Sequence, residues 1–166
     1  MFDLKTISKE AIPKSLERVE RYRLLNEPTV AESICLDILN VEPDNQQALV
    51  SLILALTDQF VAMIPSPSVA RILELAAKLE DEYEREYYTG IVYERQGKAR
   101  LKREYPGAGF DAYELLREAM HWFEKAEAIS PEANEDAVIR WNNCARMIAN
   151  NNLSARPHEQ THLSSE

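Results

Sequence analysis

A chain of 166 residues, with 28 acidic against 19 basic side chains, a formal net charge of -9 and only 4 glycines, is long enough for one sizeable core and short of two. The acidic balance excludes general binding to nucleic acid or to an anionic membrane, which need clustered Lys and Arg. Abundant Glu, Ala, Leu and Arg with little β-branched alternation point away from sheets and to an all-α fold.

Met1 to Glu10 lacks the continuous apolar heart of a secretory signal, and no stretch approaches transmembrane length, so the protein is expected to be cytoplasmic with no membrane partner. Cys35 and Cys144 each fall on an apolar helical stripe, so they are expected to be buried free thiols.

Residues 1–12 form a mixed lead-in, and Pro13 suits the first turn of a helix running to about Leu25. Leu16, Val19, Tyr22 and Leu25 give that helix an apolar stripe. Asn26-Glu27-Pro28 breaks it. Thr29 and Glu32 have the spacing of a capping box, which predicts a second helix with Ala31, Ile34, Cys35, Ile38 and Leu39 on its buried face. The first hairpin thus spans about 13–40, ahead of a loop at Val41 to Asn45.

A third helix, about Asn45 to Phe60, carries Leu49, Leu52 and Leu56. Ser66 is the expected cap of a fourth, with Pro67 in its first turn and Val69, Ile72, Leu73, Ala76 and Leu79 as its stripe, giving a second hairpin at 45–79. The acidic run Glu80 to Glu84 suits the positive end of a fifth helix. That helix continues through Gly97 to Glu104, turns at Tyr105 to Phe110, and returns as a sixth helix that Asp111 is expected to cap, so the third hairpin covers 82–130. After Pro131, Asn134 is expected to cap a seventh helix, 134–150, with Val138, Trp141, Cys144, Ala145 and Ile148 on one face. Residues 153–166 read as a polar, disordered tail behind a 13–152 helical domain.

The most informative spacing lies in the third hairpin. Gly90 and Tyr93 mark its first arm as Gly-x2-Tyr, and Ala119, Phe123, Ala126 and Pro131 mark the second as Ala-x3-Phe-x2-Ala-x4-Pro. Two helices approach closely only where small residues meet, so Gly90, Ala119 and Ala126 suit the contact line while Phe123 and Tyr93 fill the space beside it. On these residues the region resembles a tetratricopeptide repeat of bacterial type. The first hairpin repeats the spacing at Ala31, Cys35, Ile38 and Pro43, with only Ala31 keeping the usual residue type, and Ile53 stands where the family has a small residue.

Between Gly97 and Ala119 the chain carries about seventeen residues more than a 34-residue repeat. The surplus predicts a long projecting hairpin, held by Leu101, Phe110, Tyr113 and Leu116. Trp141 to Ala145 is similar to the opening of a further repeat without its partner helix, which predicts an end cap.

The resemblance implies stacked antiparallel hairpins in a right-handed α-solenoid. It further implies a non-catalytic adaptor or scaffold that binds a peptide or protein segment in a concave groove, with no cofactor and no metal. The groove positions carried over from the family are Arg23, Gln47, Val50, Leu54, Tyr87, Ile91, Glu94, Asn142, Arg146 and Asn150, all expected to face outward. Asn142 and Arg146 match part of the clamp that some members use for a terminal carboxylate, but its lysines are missing here.

Other constellations carry competing chemistry. Lys98, Arg100, Lys102 and Arg103 form a basic run that complements a helix C-terminus or contacts an acidic partner at the hairpin tip. His158-Glu159-Gln160-Thr161-His162 fits the zinc-hydrolase pattern His-Glu-x-x-His, yet Pro157 precedes it and no apolar stripe would bury it. His121 beside Trp122 is an ordinary helix residue, and no nucleophile–base pair or phosphate loop is visible. Two further classes therefore stand beside the adaptor: a homo-oligomeric structural protein using Val61, Met63 and Ile64 or the long hairpin, and a zinc-dependent hydrolase using the tail.

Overall fold

The computed structural model describes residues 1–62 and 65–157, and among them the chain forms seven α-helices and no strand. The helices are α1 (Ile12–Leu24), α2 (Pro28–Val41), α3 (Gln46–Asp58), α4 (Val69–Ala77), α5 (Glu82–Arg103), α6 (Ala108–Ala128) and α7 (Asp136–Asn150), with a single 3-10 turn at Lys9–Ala11 leading into α1. No described helix is long and apolar enough to cross a membrane.

Several helix starts differ from the sequence expectation, each for a local reason. Thr29 is not a cap. Pro28 takes the first helical position, where its missing N–H and fixed φ are no disadvantage, so α2 begins before Thr29 with Glu27 as an N-cap that makes no side-chain bond. Glu32, freed from the capping box, accepts from Gln59 Nε2 at 2.7 Å. Ser66 does not cap α4 either. Its hydroxyl bonds the Phe60 carbonyl at 3.3 Å and Arg103 at 2.5 Å, while Ser68 accepts from the Arg71 amide.

Gly107, in the left-handed region at φ 86°, starts α6 ahead of Asp111. Asp111 instead sits in the first turn, its carboxyl held below the usual range by the Tyr105 hydroxyl at 2.6 Å and by Arg156 at 2.8 Å. Asn134 accepts from the Asp136 amide at 3.0 Å, one residue ahead of the N-cap Glu135. Asn45 and Asp81 do cap α3 and α5 by accepting from Ala48 and Glu84.

Helix ends are set by left-handed residues. Asn26 has φ 59° and Asn152 φ 50°, and each is followed by an amide that reaches back five residues, Glu27 to Tyr22 and Leu153 to Ile148. That is the Schellman closure, which after α7 delivers an apolar residue onto the helix it ends. Leu153 consequently packs on the core, and Arg156 lies over the Phe110 ring at 5.3 Å. The segment 153–157 is thus fastened to the start of α6 rather than belonging to a loose tail.

Helices adjacent in sequence pack on one another from α1 through α4 and from α4 through α7, with α5 against α6 the most extensive contact, and α1, α3 and α5 also touch in succession. Burial divides into two clusters. The first, across α1 to α4, centres on Val19, Ala31, Cys35, Ile38, Leu52, Ile53 and Ile72. The second, across α5 to α7, centres on Ile91, Leu116, Ala119, Phe123, Ala126 and Cys144. Helix α5 serves both, because Val92 and Ala99 belong to the first and Ile91 to the second. The expected close approach is present: a Cβ at Gly90 would lie 2.5 Å from Phe123 Cε1, and one at Gly97 would lie 3.1 Å from Leu116.

Candidate interaction surface

All ten carried-over positions lie on the odd-numbered helices α1, α3, α5 and α7, but they do not all face solvent. Ile91 and Glu94 are 1% and 0% exposed, which corrects their outward assignment. Ile91 is core, because α6 and α7 close over this face of α5. Tyr87 is half-buried, stacked on Tyr83 at 5.7 Å and tilted against Phe123 at 5.8 Å. Leu54 and Val50 are half-buried too, packing on the second and first clusters respectively. Asn142 is half-buried, while Arg146, Asn150 and Gln47 are exposed. Gln47 lines a separate, acidic cleft with Glu17, Glu20 and Glu42.

What joins these helices is a ladder of charged side chains that spacing alone had not singled out. At its first rung Asp58, on the last turn of α3, accepts from Arg23 Nε of α1 at 2.8 Å and from Arg95 of α5 at 2.7 Å. The same Arg95 nitrogen also donates to the Leu54 carbonyl at 3.0 Å and to Thr57 Oγ1 at 2.7 Å. A cation there complements the carbonyl end of α3. Burial draws the Arg95 guanidinium below its usual range, with the Asp58 charge opposing that shift.

At the next rung the fully buried Glu94 receives three donors: Asn143 Nδ2 at 2.5 Å, Arg140 at 3.3 Å and Lys98 Nζ at 3.3 Å. A buried carboxylate requires such saturation, since an uncompensated charge in low dielectric is costly. Arg140 also donates to the Tyr87 hydroxyl at 3.4 Å. Burial lowers the affinity of Arg140 for its proton, but the Tyr87 bond and the Glu94 charge outweigh it and raise the net value.

The ladder holds four cations, Arg23, Arg95, Lys98 and Arg140, against the carboxylates Glu20, Asp58 and Glu94. Both inner carboxylates are saturated, and the outer cations keep solvent access, with Lys98 and Arg140 at 39% and 33% side-chain exposure. On α7, Arg146 and Asn150 follow Asn142 at intervals of one helical turn, which places them along one side of that helix. The basic run proposed for the hairpin tip is divided by the fold. Lys98 belongs to this ladder, while Arg103 fastens the loop after α3 through the Phe60 carbonyl at 2.8 Å.

Lys98 was legible as a partner of Glu94, being four residues on in the same helix. Asp58, Arg95, Arg140 and Asn143 carried no such local signal.

Both cysteines are buried free thiols. Burial, reinforced by nearby carboxylates, pushes Cys35 and Cys144 up to about 12, which makes them poor nucleophiles. No group of three or more His, Cys, Asp or Glu among the described residues could hold a metal. His158, His162 and the motif between them lie outside the described residues, as do Met63 and Ile64; Val61 is exposed.

No family model matches the chain, and no curated protein or solved structure matches it either.

Proposed function

We propose that this protein is a non-catalytic adaptor whose helices stack as a tetratricopeptide-like right-handed solenoid, and that it binds an acidic protein segment along the side formed by α1, α3, α5 and α7. The observation that carries this reading is the charged ladder linking one helix of every hairpin, whose α5–α7 end keeps Lys98 and Arg140 open to solvent on a protein of net charge -9. A stripe of opposite sign to the rest of the surface selects partners by charge and speeds their encounter. Helix α7 then acts as the closing cap of the array, as a solenoid end requires.

The test is binding of fluorescein-labelled decapeptides rich in Asp and Glu, with free C-terminal carboxylates, to the wild type and to a Lys98→Gln, Arg146→Glu variant of unchanged helicity. The wild type should bind with an affinity that weakens as salt rises, and the variant should lose at least about tenfold, or ~1.4 kcal/mol. Equal binding by both, or preference for basic peptides, overturns the acidic-segment reading.

Self-association is the second reading, favoured by the adjacent apolar Leu24 and Leu25 at 87% and 58% exposure. Light scattering behind a sizing column decides it, since only this reading requires an oligomer that Leu24→Lys dissolves.

A further inference from the structure

Away from the ladder, a cleft of about 310 Å³ opens where α4 and α6 both pack on α5 but barely touch each other. Leu73 and Ala77 of α4 form one wall, Trp122 of α6 the other, and Arg85, Glu86, Thr89 and Tyr93 of α5 the floor. The cleft exists because α4 is only 9 residues long beside arms of 22 and 21 residues. Its volume lies at the small end of ligand sites and its walls are mostly apolar, as such sites are.

One atom in it is out of place for a merely structural gap. Glu86 Oε2 is buried and has no hydrogen-bond partner among the described residues, although an unmatched buried acceptor is among the costliest features a fold can carry. Several neighbouring donors are committed elsewhere. Arg85 NH1 bonds the carbonyls of Leu79 and Glu80, both at 2.8 Å. The Thr89 hydroxyl bonds the Arg85 carbonyl at 2.7 Å, and Trp122 Nε1 bonds Glu118 at 3.0 Å.

Arg85 turns its NH1 away to the carbonyls of Leu79 and Glu80, and the opposite wall suits a further cation. Trp122 already attracts one, with Lys125 Nζ at 4.2 Å from its ring centroid. The Tyr93 hydroxyl is pushed up by burial and by the charge of Glu118, the carboxylate that also accepts from Trp122 Nε1.

We propose that this cleft is a second binding site that takes a lysine or arginine side chain of a protein partner. Leu73, Ala77 and Trp122 cover the aliphatic stem, and the cationic head pairs with the Glu86 carboxylate, which turns its unmatched oxygen towards it. Basic side chains suit such a place because their stems are apolar and their heads form charge-assisted bonds. The site is opposite in charge preference to the ladder and rests on none of its residues, so the protein would hold an acidic and a basic segment at once.

The probes are acetylated, amidated pentapeptides of alanine with lysine, arginine, norleucine or glutamate at the centre. They are titrated into the full chain while the amides of Thr89 and Tyr93 and the Trp122 indole N–H are followed by NMR. The lysine or arginine peptide should shift these signals saturably, norleucine should bind at least about tenfold more weakly, and glutamate should not bind. Glu86→Gln should weaken the basic peptide by about tenfold at unchanged helicity, and Ala77→Phe, which fills the mouth and keeps Glu86, should weaken it as well. Equal affinity for norleucine, undiminished binding by Glu86→Gln, no saturable shift with any peptide, or shifts confined to Arg23, Arg95 and Arg140 would each overturn the proposal.

Discussion

The two halves of the molecule are packed on different plans. Around α1 to α4 the interior is mostly aliphatic, with Phe60 its one buried ring among the described residues, and its volume is shared among many side chains, Val19, Ile38, Leu52, Ile53 and Ile72 among them. Around α5 to α7 it is a line of small residues met by one large ring, Phe123 against Gly90, with tyrosines and Trp141 at the edge and a charged Glu94 buried beside it. A shared interior can redistribute when one methyl group is lost, whereas a ring seated on a glycine leaves a void nothing nearby can fill. The second half should therefore answer more sharply to single substitutions.

The largest effect tests that contrast directly. Phe123→Ala should destabilise by about 5 kcal/mol, the upper end for such truncations, against about 3 kcal/mol for Phe60→Ala in the first half, both read from urea unfolding. Comparable losses at the two sites would remove the distinction. Hydrogen exchange on Phe123→Ala should quicken in α6 and α7 before α1 and α2, since native proteins open locally around a weakened core.

Replacing Glu94 with Gln should cost about 1.5–3 kcal/mol, the range for hydrogen bonds to charged groups, because Lys98 and Arg140 lose a charged acceptor. An unchanged midpoint would mean the ladder contributes nothing to the second core. Gly90→Ala comes next, at about 1–3 kcal/mol from overpacking against the Phe123 ring, and most of that loss should vanish in a Phe123→Ala background, where the ring is gone.

Smaller still is the alkaline response, in which the halves should agree. Each cluster holds one thiol whose ordinary value of 9.0 is raised to about 12 by burial. A group held protonated only in the folded state gives its full stabilisation below pH 9 and loses it as pH climbs from there towards 12. The urea midpoint should fall across that window, less steeply in Cys35→Ala and in Cys144→Ala, with Tyr88 adding to the fall near its upper end. Arg156→Ala should do least, since its exposed pair with Asp111 is screened by solvent, and any change in melting temperature should fade in high salt.

Helix existence was legible because apolar periodicity is a local signal, and so was the approach of Gly90 to Phe123, where small and large residues alternate at a recognisable interval. Cap assignments were less so. Proline at the first position of α2 and the glycine before α6 competed successfully with Thr29 and Asp111 for the helix starts.

The candidate surface was legible in part. The odd-numbered helices were the right place to find the ladder, but Ile91 and Glu94 face inward, and a helix wheel cannot tell which side a neighbour will cover. Asp58 meets Arg23 and Arg95 across 35 and 37 residues of sequence, distances at which no spacing rule operates. Nor does spacing predict the cleft between α4 and α6.

Helix α5 belongs to both interiors through consecutive residues, Ile91 to one and Val92 to the other. A chain interrupted between Arg103 and Ala108 therefore yields two pieces of unequal length. The longer keeps α1 to α5 but bares Gly90 and Ile91, and the shorter keeps α6 and α7 with Phe123 uncovered. Neither should persist alone in solution, and each is the natural complement of the other, so co-expressed fragments divided at this turn should reassemble into the intact shape.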